Sequence, residues 1–425
     1  FVKQDLVNFS LADLKRSIAH AVDGLKPSQR KVMYACFHKN LRDEMKVAQL
    51  AAYVADKSAY HHGEVSLAET IVKLANDYTG SNNINLLEPC GQFGTRLMGG
   101  KDASQTRYIF TKLSRETRKI FDPKDDPILN YLDDDGRSIE PDYYIPTLPM
   151  VLVNGTEGIG TGFSCYVPPF NPEDIKKNIL RKLEGQSIQP MKPWFRGFKG
   201  KVFEKDDTWI TEGIWSMVGN DIHVTELPPG RWTQDFKEYL DTMSEKKIIT
   251  GYTNNSTTDN VNFMISGYSG KDIQKDFKLQ KTFRTSNMHL FHPIRGIHKY
   301  ASPEEILEDF IDVRLDAYHR RKEHMVKTLE QRSMMCDMKS KFVTMVISGE
   351  IVVFKKKRSV LEDELSKIFP KVDGTYDYIL NIKTYQYTAE SIDALLKESQ
   401  DLRRELEILK ATKHIDMWKL DIKNM

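Results

Sequence analysis

The first eighty residues alternate polar positions with apolar ones spaced three and four apart, which predicts short amphipathic helices joined by tight turns. The first helix carries the apolar residues Leu11, Leu14, Ile18 and Val22. Ser10 is its predicted N-cap, Asp23-Gly24 its predicted end, and Pro27 opens the next helix. Two more helices are predicted, one near 46–56 and one that begins at Ser66. Helix, turn and helix is the layout of DNA-reading modules, although many other helical domains share it.

From about residue 145, apolar and polar residues alternate between Gly, Asp and Asn turns, which predicts a strand-rich region. We interpret the apolar run in "YYIPTLPMVLVNG" as a strand of this region. One amphipathic helix is predicted within it, at "NPEDIKKNILRKLEG".

Helical periodicity returns near residue 300. Ser302-Pro303-Glu304-Glu305 combines an N-cap, a proline at the first helical position and a glutamate that returns a hydrogen bond, so it predicts a helix start. Heptad-like spacing follows at Ile311, Leu315, Tyr318, Met325 and Leu329, and again at Leu395, Leu402, Leu406 and Leu409. Two such helices predict an antiparallel coiled-coil arm, with ordinary helix packing as the alternative, because neither run is long.

Composition narrows the class of protein. The 425 residues suffice for two or three domains, because a single core stops growing at roughly 250–300 residues. No apolar run reaches the roughly 20 residues that a membrane-spanning helix needs. The four cysteines show no C-x-x-C spacing, which argues against a disulfide framework or a thiolate zinc site. A net charge of +2 does not indicate nucleic acid, although basic clusters such as Arg30-Lys31 can act locally.

The stretch "GGKDASQTRYIFTKL" places Tyr108 at the end of a polar run with Arg107 beside it. One interpretation is a core tyrosine whose hydroxyl finds a partner. The other is a covalent nucleophile. A tyrosine hydroxyl has a pKa of about 10 and needs positive charge nearby, which Arg107 can supply. The Arg-Tyr pair alone does not decide between them.

A glycine-rich loop, "NGTEGIGTGFS", spans 154–164. It matches neither the dinucleotide fingerprint nor a Walker motif, so we do not expect this chain to bind a nucleotide. Its glycines leave Ile159 as an apolar side chain on backbone that can approach a partner closely. Ile159 is therefore either a buried loop anchor or a wedge.

Two polar clusters are weaker candidates. Asp133 and Asp135 flank a predicted exposed turn at Gly136 and have no assignable third carboxylate, so we interpret them as solvated rather than as a cation site. The adjacent His61 and His62 point in different directions in regular structure, so a shared metal is not expected. Taken alone, they favour a structural or surface role over a contact with phosphate.

Taken together, these stretches resemble the DNA-cleavage core of eukaryotic-type DNA topoisomerase II, in the type IIA family that includes bacterial gyrase. The strongest matching segments are 16–37, 46–64, 80–96, 99–113 and 145–164, and weaker ones are 225–240, 374–382 and 414–422. They follow the family order and cover essentially the whole chain.

The resemblance implies roles for individual residues. Tyr108 is the nucleophile that makes a transient covalent tyrosyl–DNA link, and Arg107 stabilises charge on the phosphate. His62 hydrogen-bonds near the scissile phosphate, which replaces the structural interpretation above. Ile159 inserts between base pairs and bends the duplex. The expected DNA-binding residues are Arg16, Lys26, Arg30, Lys31, His61, Gln92 and Ile159.

The resemblance also implies a multidomain α+β fold. A winged-helix (helix-turn-helix) DNA-gate domain with the catalytic tyrosine spans 1–148, a strand-rich tower spans 149–300, and a long antiparallel coiled-coil arm with a C-terminal dimerisation gate spans 301–425. The implied partners are double-stranded DNA and a second copy of the chain, joined at the DNA gate and the C-gate, with no membrane. The implied location is the nucleus, or a viral factory or virion if the source is a large DNA virus.

The family uses Mg²⁺ and ATP, which the resemblance assigns to TOPRIM and ATPase domains that have no match in this chain. We expect no metal ligands and no cofactor in this fragment, and the run Asp133–Asp135 does not substitute for the TOPRIM ligands. The chain alone should therefore bind and bend DNA weakly and cleave it poorly or not at all. Near "SKIFPKVDGTYDY" it is shorter than usual for the family. The alternative function is a non-catalytic DNA-bending or chromosome-architecture module.

Overall fold

A computed structural model describes residues 5–60 and 63–425 and contains both helices and sheets. The helices are Asp5–Ser17 (α1), Pro27–Lys39 (α2), Val47–Lys57 (α3), Glu64–Ala75 (α4), Thr117–Ile120 (α5), Met150–Val153 (α6), Pro172–Leu183 (α7), Thr233–Glu245 (α8), Ile273–Asp276 (α9), Pro303–Ile347 (α10), Arg358–Leu365 (α11), Asp377–Leu380 (α12), Ala389–Ala411 (α13) and His414–Lys423 (α14), with 3-10 turns at Pro123–Ile128 and Thr384–Gln386.

The strands are short and pair antiparallel. They are Met45–Lys46 (β1), Leu87–Cys90 (β2), Phe110–Leu113 (β3), Tyr131–Asp134 (β4), Arg137–Pro141 (β5), Thr156–Gly160 (β6), Phe163–Val167 (β7), Lys201–Lys205 (β8), Thr208–Glu212 (β9), Ile214–Val218 (β10), Asp221–Glu226 (β11), Gly251–Asn254 (β12), Phe263–Ser266 (β13), Gln280–Phe283 (β14), Met288–His292 (β15) and Gly296–Tyr300 (β16).

The chain divides into two compact units. The first runs to Leu315 and takes in Lys419–Met425, and the second is Asp316–Trp418. In the first unit, α2, α3 and α4 pack on one another and on a three-stranded sheet in the order β1-β3-β2. Val32, Leu50 and Ile71, one from each helix, are fully buried there. This arrangement carries the tyrosine singled out above, because the segment between β2 and β3 contains it.

The strand-rich part of the first unit has its own core. A four-stranded sheet in the order β10-β11-β13-β12 packs against α8. The buried side chains there include Val224 and Phe263 from the sheet and Phe236 and Leu240 from the helix. Since each strand is only four to six residues long, we infer that this shared core with α8 holds the sheet together.

The second unit contains most of α10 and all of α13. Leu329 and Cys336 of α10 are buried against Leu402 and Leu409 of α13. Lys322 donates from Nζ to the carbonyls of Lys410 and Thr412 at the end of α13, at 2.9 and 2.7 Å. A lysine suits this place because the last carbonyls of a helix lack intrahelical donors. Within the described part of the chain, no helix is long and apolar enough to cross a membrane.

Several predicted helices are confirmed. Pro27 is the first residue of α2, α3 covers the segment predicted near 46–56, and α7 forms at the predicted site with Asn171 as its N-cap. At α10, the Ser302 hydroxyl accepts from the Glu305 amide while the Glu305 carboxylate accepts from the Ala301 amide. These starts were predictable because caps and helical periodicity are local features.

Other predictions at the level of elements are wrong. The first helix ends at Ser17, and Ser10 lies inside it with its hydroxyl donating to the carbonyl of Leu6. The segment after this helix instead pairs with Phe291, whose amide donates to Ala19 and whose carbonyl accepts from Ala21. A contact roughly 270 residues away in the chain thus ends the helical pattern, and no local signal reports it.

The start of α4 and the apolar run before residue 154 also differ from expectation. The helix begins at Glu64, two residues ahead of the predicted Ser66. Residues 150–153 form α6, with all four side chains buried, rather than a strand. A short continuous apolar run does not distinguish a buried helix from a buried strand, because neither has a polar face to set the period.

Candidate functional site

Tyr108 lies on an exposed loop with a cation over its ring. The loop that joins β2 to β3, residues 91–109, is called the tyrosine loop. Tyr108 is 66% exposed, whereas Ile109 beside it is buried. The Arg107 guanidinium carbon lies 4.9 Å from the centre of the Tyr108 ring. The phenol therefore faces solvent with a positive charge in contact, which excludes the interpretation of Tyr108 as a core residue.

The N-terminus of α3 fixes the C-terminal end of the tyrosine loop. The Ala48 amide donates to the carbonyl of Thr106 at 3.2 Å, and the Val47 amide donates to the carbonyl of Ile109 at 3.0 Å. Both amides belong to the first turn of a helix, where no intrahelical acceptor exists. Because the two bonds lie on either side of Tyr108, the backbone that carries the phenol is held at two points.

The rest of the tyrosine loop is closed by contacts within it. The Asp102 carboxylate accepts from both the amide and the hydroxyl of Thr95, and the Ser104 amide donates to the carbonyl of Gln92 at 2.9 Å. Gly94 has positive φ, and a Cβ there would lie 2.4 Å from the Cα of Gly100. Gln92 is exposed, and among the residues predicted to bind DNA it is the one that shares this loop with Tyr108.

Ile159 projects from a β-hairpin formed by β6 and β7. It is 78% exposed. Alternate residues of a strand face opposite sides, so Gly158 and Gly160 lie on the side away from Ile159. A Cβ on Gly158 would lie 2.2 Å from the Ser17 carbonyl oxygen, and one on Gly160 would lie 2.9 Å from Leu14. The glycines therefore let α1 pack directly on one side of the hairpin while Ile159 projects from the other.

Two polar contacts brace this hairpin. Asp13 on α1 accepts from the amide and the hydroxyl of Thr161 at 2.8 and 2.9 Å, and these hydrogen bonds lower the pKa of Asp13. Lys26 donates from Nζ to the carbonyl of Glu157 at 2.8 Å. Partial burial lowers the pKa of the Lys26 ammonium. The predicted DNA contact Lys26 thus holds the base of the hairpin that carries Ile159.

We expect Gly158→Ala to lower the free energy of unfolding by roughly 1–3 kcal/mol, the range for overpacked sites. The added methyl would collide with the backbone carbonyl of Ser17, which cannot rotate away. Urea denaturation measures the change. Gly251→Ala is the matched control, because Gly251 is also a strand residue and a Cβ there meets nothing within 4 Å. Equal stability of the two variants would contradict the close packing of α1 on the hairpin.

The other basic residues that are predicted to contact DNA differ in how exposed their side chains are and in the ion pairs that they form. The Arg16 side chain is 60% exposed and pairs with Asp13 at 3.4 Å. Arg30 is buried, and its Nε donates to Asp23 at 2.8 Å. The Lys31 ammonium lies 2.8 Å from Glu140. Arg16 and Lys31 both line a groove of about 870 Å³ beside α1.

These pairings favour a structural role for Arg30 and Lys31, although DNA contact by either residue stays a prediction.

His61 and His62 lie outside the described residues, so their predicted roles also stay predictions. Asp133 lies near the end of β4 and Asp135 in the turn between β4 and β5, and both are exposed, as expected. Across residues 5–60 and 63–425, no group of three His, Cys, Asp or Glu is placed to hold a metal ion. These described residues therefore offer no ligand set that fits Mg²⁺.

The sequence did not reveal several supports of this site. Asp13, Asp23 and Asp102 each accept hydrogen bonds that hold the hairpin, α2 or the tyrosine loop. Nothing local marks them among the other acidic residues. Trp232, which packs under the tyrosine loop at Gly99, lies in the weakly matching segment 225–240, but no feature of that segment pointed to this contact.

Comparison with known proteins gives a consistent result. The family model for the A subunit of DNA gyrase/topoisomerase IV matches residues 16–423. Proteins named DNA topoisomerase 2 from Plasmodium falciparum and Saccharomyces cerevisiae are 41% and 39% identical over all of this chain. The one from Bombyx mori is 46% identical over 86% of it. The chain spans 34% of the first two and 25% of the third.

A solved structure is also similar. The crystal structure titled Plasmodium falciparum topoisomerase II DNA-binding, cleavage and re-ligation domain superposes with a TM-score of 0.92 at 42% sequence identity. The match covers 99% of this chain and 63% of that one. The sequence and the fold therefore point to the same family over nearly the whole chain.

Proposed function

Since the chain belongs to the family of DNA gyrase/topoisomerase IV A subunits, we propose that it is the DNA breakage-rejoining core of an ATP-dependent type II topoisomerase. The observation that carries this proposal is Tyr108, an exposed phenol whose backbone is held on either side by α3 and whose ring lies beside a guanidinium. The similar structure is titled a cleavage and re-ligation domain. The direct test is whether denatured protein–DNA complexes retain a covalent link that depends on Tyr108.

In the proposed reaction, Tyr108 Oη attacks the phosphorus of a DNA backbone phosphodiester. A bond forms between Oη and phosphorus, and the bond from phosphorus to one deoxyribose oxygen breaks. The phenolic proton passes to water, and the leaving oxygen keeps the bonding electrons and takes a proton. One phosphodiester replaces another of similar energy, so the reverse attack reseals the strand without ATP.

Arg107 is proposed to stabilise the charge that develops on the phosphate during this attack. Its guanidinium is exposed and already lies beside the Tyr108 ring. A cation held in place before the reaction does not have to reorganise as the charge develops. His62 is proposed to hydrogen-bond near the same phosphate, by the resemblance alone.

We further propose that Ile159 inserts between base pairs of the bound duplex. An apolar side chain on a braced hairpin suits a wedge, because the force that unstacks the bases must be resisted by the protein. The contacts of Gly158 and Thr161 with α1 and of Lys26 with Glu157 supply that resistance. Arg16, Gln92 and His61 are proposed to contact the DNA backbone, which positions the duplex without reading its sequence.

Ile159→Ala should reduce the DNA bend angle while changing the affinity by no more than about threefold, because phosphate contacts dominate binding. Energy transfer between dyes at the two ends of a short duplex measures the angle. Ile294→Ala is the matched control: Ile294 is an isoleucine at another hairpin turn and is 90% exposed. If both variants bend DNA as the parent does, Ile159 is not a wedge.

The domain organisation is proposed on the same basis. The order α2, β1, α3, α4, β2, β3 is that of a winged helix, which supports a DNA-gate domain at 1–148. The strands of 149–300 suit a tower. The packing of α10 against α13 supports a coiled-coil arm within 301–425.

We propose a homodimer joined at the DNA gate and at a C-gate in the last of these regions. Exposed apolar residues in the second unit support the C-gate: Ile347, Val352, Phe354 and Val360. Large apolar side chains that are left exposed are typical of surfaces that another protein chain covers when they lie together in one patch. The proposed location is the nucleus, or a viral factory or virion for a viral source.

ATP and Mg²⁺ are proposed for the longer protein, in regions that its relatives have beyond the third that this chain matches. The alternative, a DNA-bending module without chemistry, accounts for Ile159 but gives no reason for an exposed tyrosine held under an arginine. For this reason we favour the enzyme.

A further inference from the structure

We propose that Trp232 is a positioning residue for Tyr108, and that it acts through Gly99 of the tyrosine loop. The inference rests on the proposed function, since it concerns the placement of the nucleophile. Trp232 lies directly before α8, in the strand-rich part of the first unit, far from Tyr108 in the sequence. Its contacts nevertheless set the course of the tyrosine loop.

The first observation is the fit of the Trp232 ring against Gly99. A Cβ on Gly99 would lie 2.2 Å from both Cε2 and Nε1 of the indole, so the loop backbone rests on the ring with no room for a side chain. Gly99 also has φ +62°, which favours glycine. The rings of Tyr78 and Trp232 pack edge to face, with their centres 5.7 Å apart. The indole is therefore held in place by its own neighbour.

The second observation is a set of hydrogen bonds from α8 to the same loop. The Thr233 amide donates to the carbonyl of Arg96 at 3.3 Å, and the Gln234 amide donates to the carbonyl of Leu97 at 2.8 Å. These amides begin a helix and have no acceptor within it. The first turn of α8 therefore binds the backbone of the tyrosine loop just before Gly99.

The third observation is a buried ion pair between the tyrosine loop and the sheet. The Arg96 guanidinium meets the carboxylate of Glu226 at the end of β11, and both side chains are buried. Glu226 also accepts from the amides of Leu227 and Lys199, at 3.0 and 3.2 Å. With its carboxylate oxygens bonded in this way, Glu226 gives Arg96 a fixed anchor.

Two parts of the first unit therefore support the tyrosine loop: α3, and the strand-rich region with α8. The α3 amides hold the end that carries Tyr108, and Trp232, α8 and Glu226 hold the loop at residues 96–99. A change in the strand-rich region is thus transmitted to the loop at Gly99. Displacing a reacting atom by about 1 Å can cost 10²-fold in rate, so this support is expected to appear in the chemical step rather than in DNA binding.

The test is Trp232→Leu in the full-length protein with Mg²⁺, with single-turnover formation of the covalent adduct measured at saturating DNA. We expect the rate to fall about 10- to 100-fold, with the dissociation constant and the bend angle within twofold of the parent. Trp215→Leu is the matched control, because Trp215 packs on the core that the four-stranded sheet forms with α8, in the same strand-rich region as Trp232. It should leave the rate within about twofold while lowering stability comparably.

A second measurement separates positioning from general damage. Gly99→Ala should slow adduct formation in the parent, where the methyl meets the indole, and should slow it less in the Trp232→Leu background. Such non-additivity is the signature of a direct contact. If Trp232→Leu does not fold, Trp232→Phe takes its place, with a loss of at least about threefold expected from a smaller displacement.

The outcomes distinguish the two proposals. An adduct that persists in Tyr108→Phe overturns the proposed function itself. If the adduct requires Tyr108 but Trp232→Leu and Trp215→Leu form it at equal rates, the nucleophile stands and the positioning role of Trp232 is overturned. Additive effects of the changes at 99 and 232 also overturn the positioning role.

Discussion

A Tyr108→Phe variant should lose the covalent protein–DNA adduct and keep its affinity for DNA. The change removes only the phenolic oxygen, and phenylalanine keeps the ring that lies beside Arg107. Because the side chain is largely exposed, no buried hydrogen bond is broken and the fold should be unaffected. Removal of a nucleophile costs about 10⁴-fold or more, so the adduct should fall below detection.

The measurement uses the full-length protein with Mg²⁺ and a labelled duplex. The complex is trapped with denaturant, and label that migrates with the protein is quantified. Tyr53→Phe is the matched control, because Tyr53 also has a lysine ammonium over its ring, 5.0 Å from its centre. Undiminished adduct in Tyr108→Phe would remove Tyr108 as the nucleophile. Loss of adduct together with loss of binding would show a role in holding DNA.

Asp23→Ala should lower the free energy of unfolding by about 3–5 kcal/mol, the range for breaking a buried ion pair. Asp23 has no exposed surface, and its partner Arg30 is 6% exposed. The carboxylate accepts from Nε of Arg30 at 2.8 Å and from the amides of Leu25 and Tyr144 at 2.9 and 3.0 Å. Removing it leaves a buried guanidinium without its counter-ion and two amides without an acceptor.

Urea denaturation gives the change in stability. The matched control is Asp56→Ala, which breaks the exposed pair of Asp56 with Lys57 and should cost no more than about 1 kcal/mol. A loss of less than about 1 kcal/mol in Asp23→Ala would contradict the pairing. Intact stability combined with weaker DNA binding would instead make Arg30 a DNA contact, as the family resemblance implied.

Much of the local structure could be predicted. Pro27 starts α2, and the hydrogen bonds of Glu305 with Ser302 and Ala301 start α10, because each signal lies within four residues of the group it serves. The first helix was predicted too long, because its end depends on backbone pairing with Phe291. Residues 150–153 were assigned to a strand, because an apolar run has no period once it is buried on every side.

What the sequence by itself determined is the identity of the candidate chemistry. The order of its motifs implied, through the family resemblance, Tyr108 with Arg107, and the alternation of Gly158, Ile159 and Gly160 marked Ile159 as either a buried loop anchor or a wedge. Both signals are contiguous in the chain, and contiguous residues keep their relation whatever the rest of the chain does.

Only the tertiary structure decided which charges are free and what holds the reactive loop. Arg16 is exposed even in its pair with Asp13, whereas Arg30 and Lys31 lie in largely buried pairs with Asp23 and Glu140. The supports of the tyrosine loop at Arg96 come from Glu226, 130 residues away. A side chain's partner is set by burial and by how distant segments meet, and no local pattern of residue types contains that information.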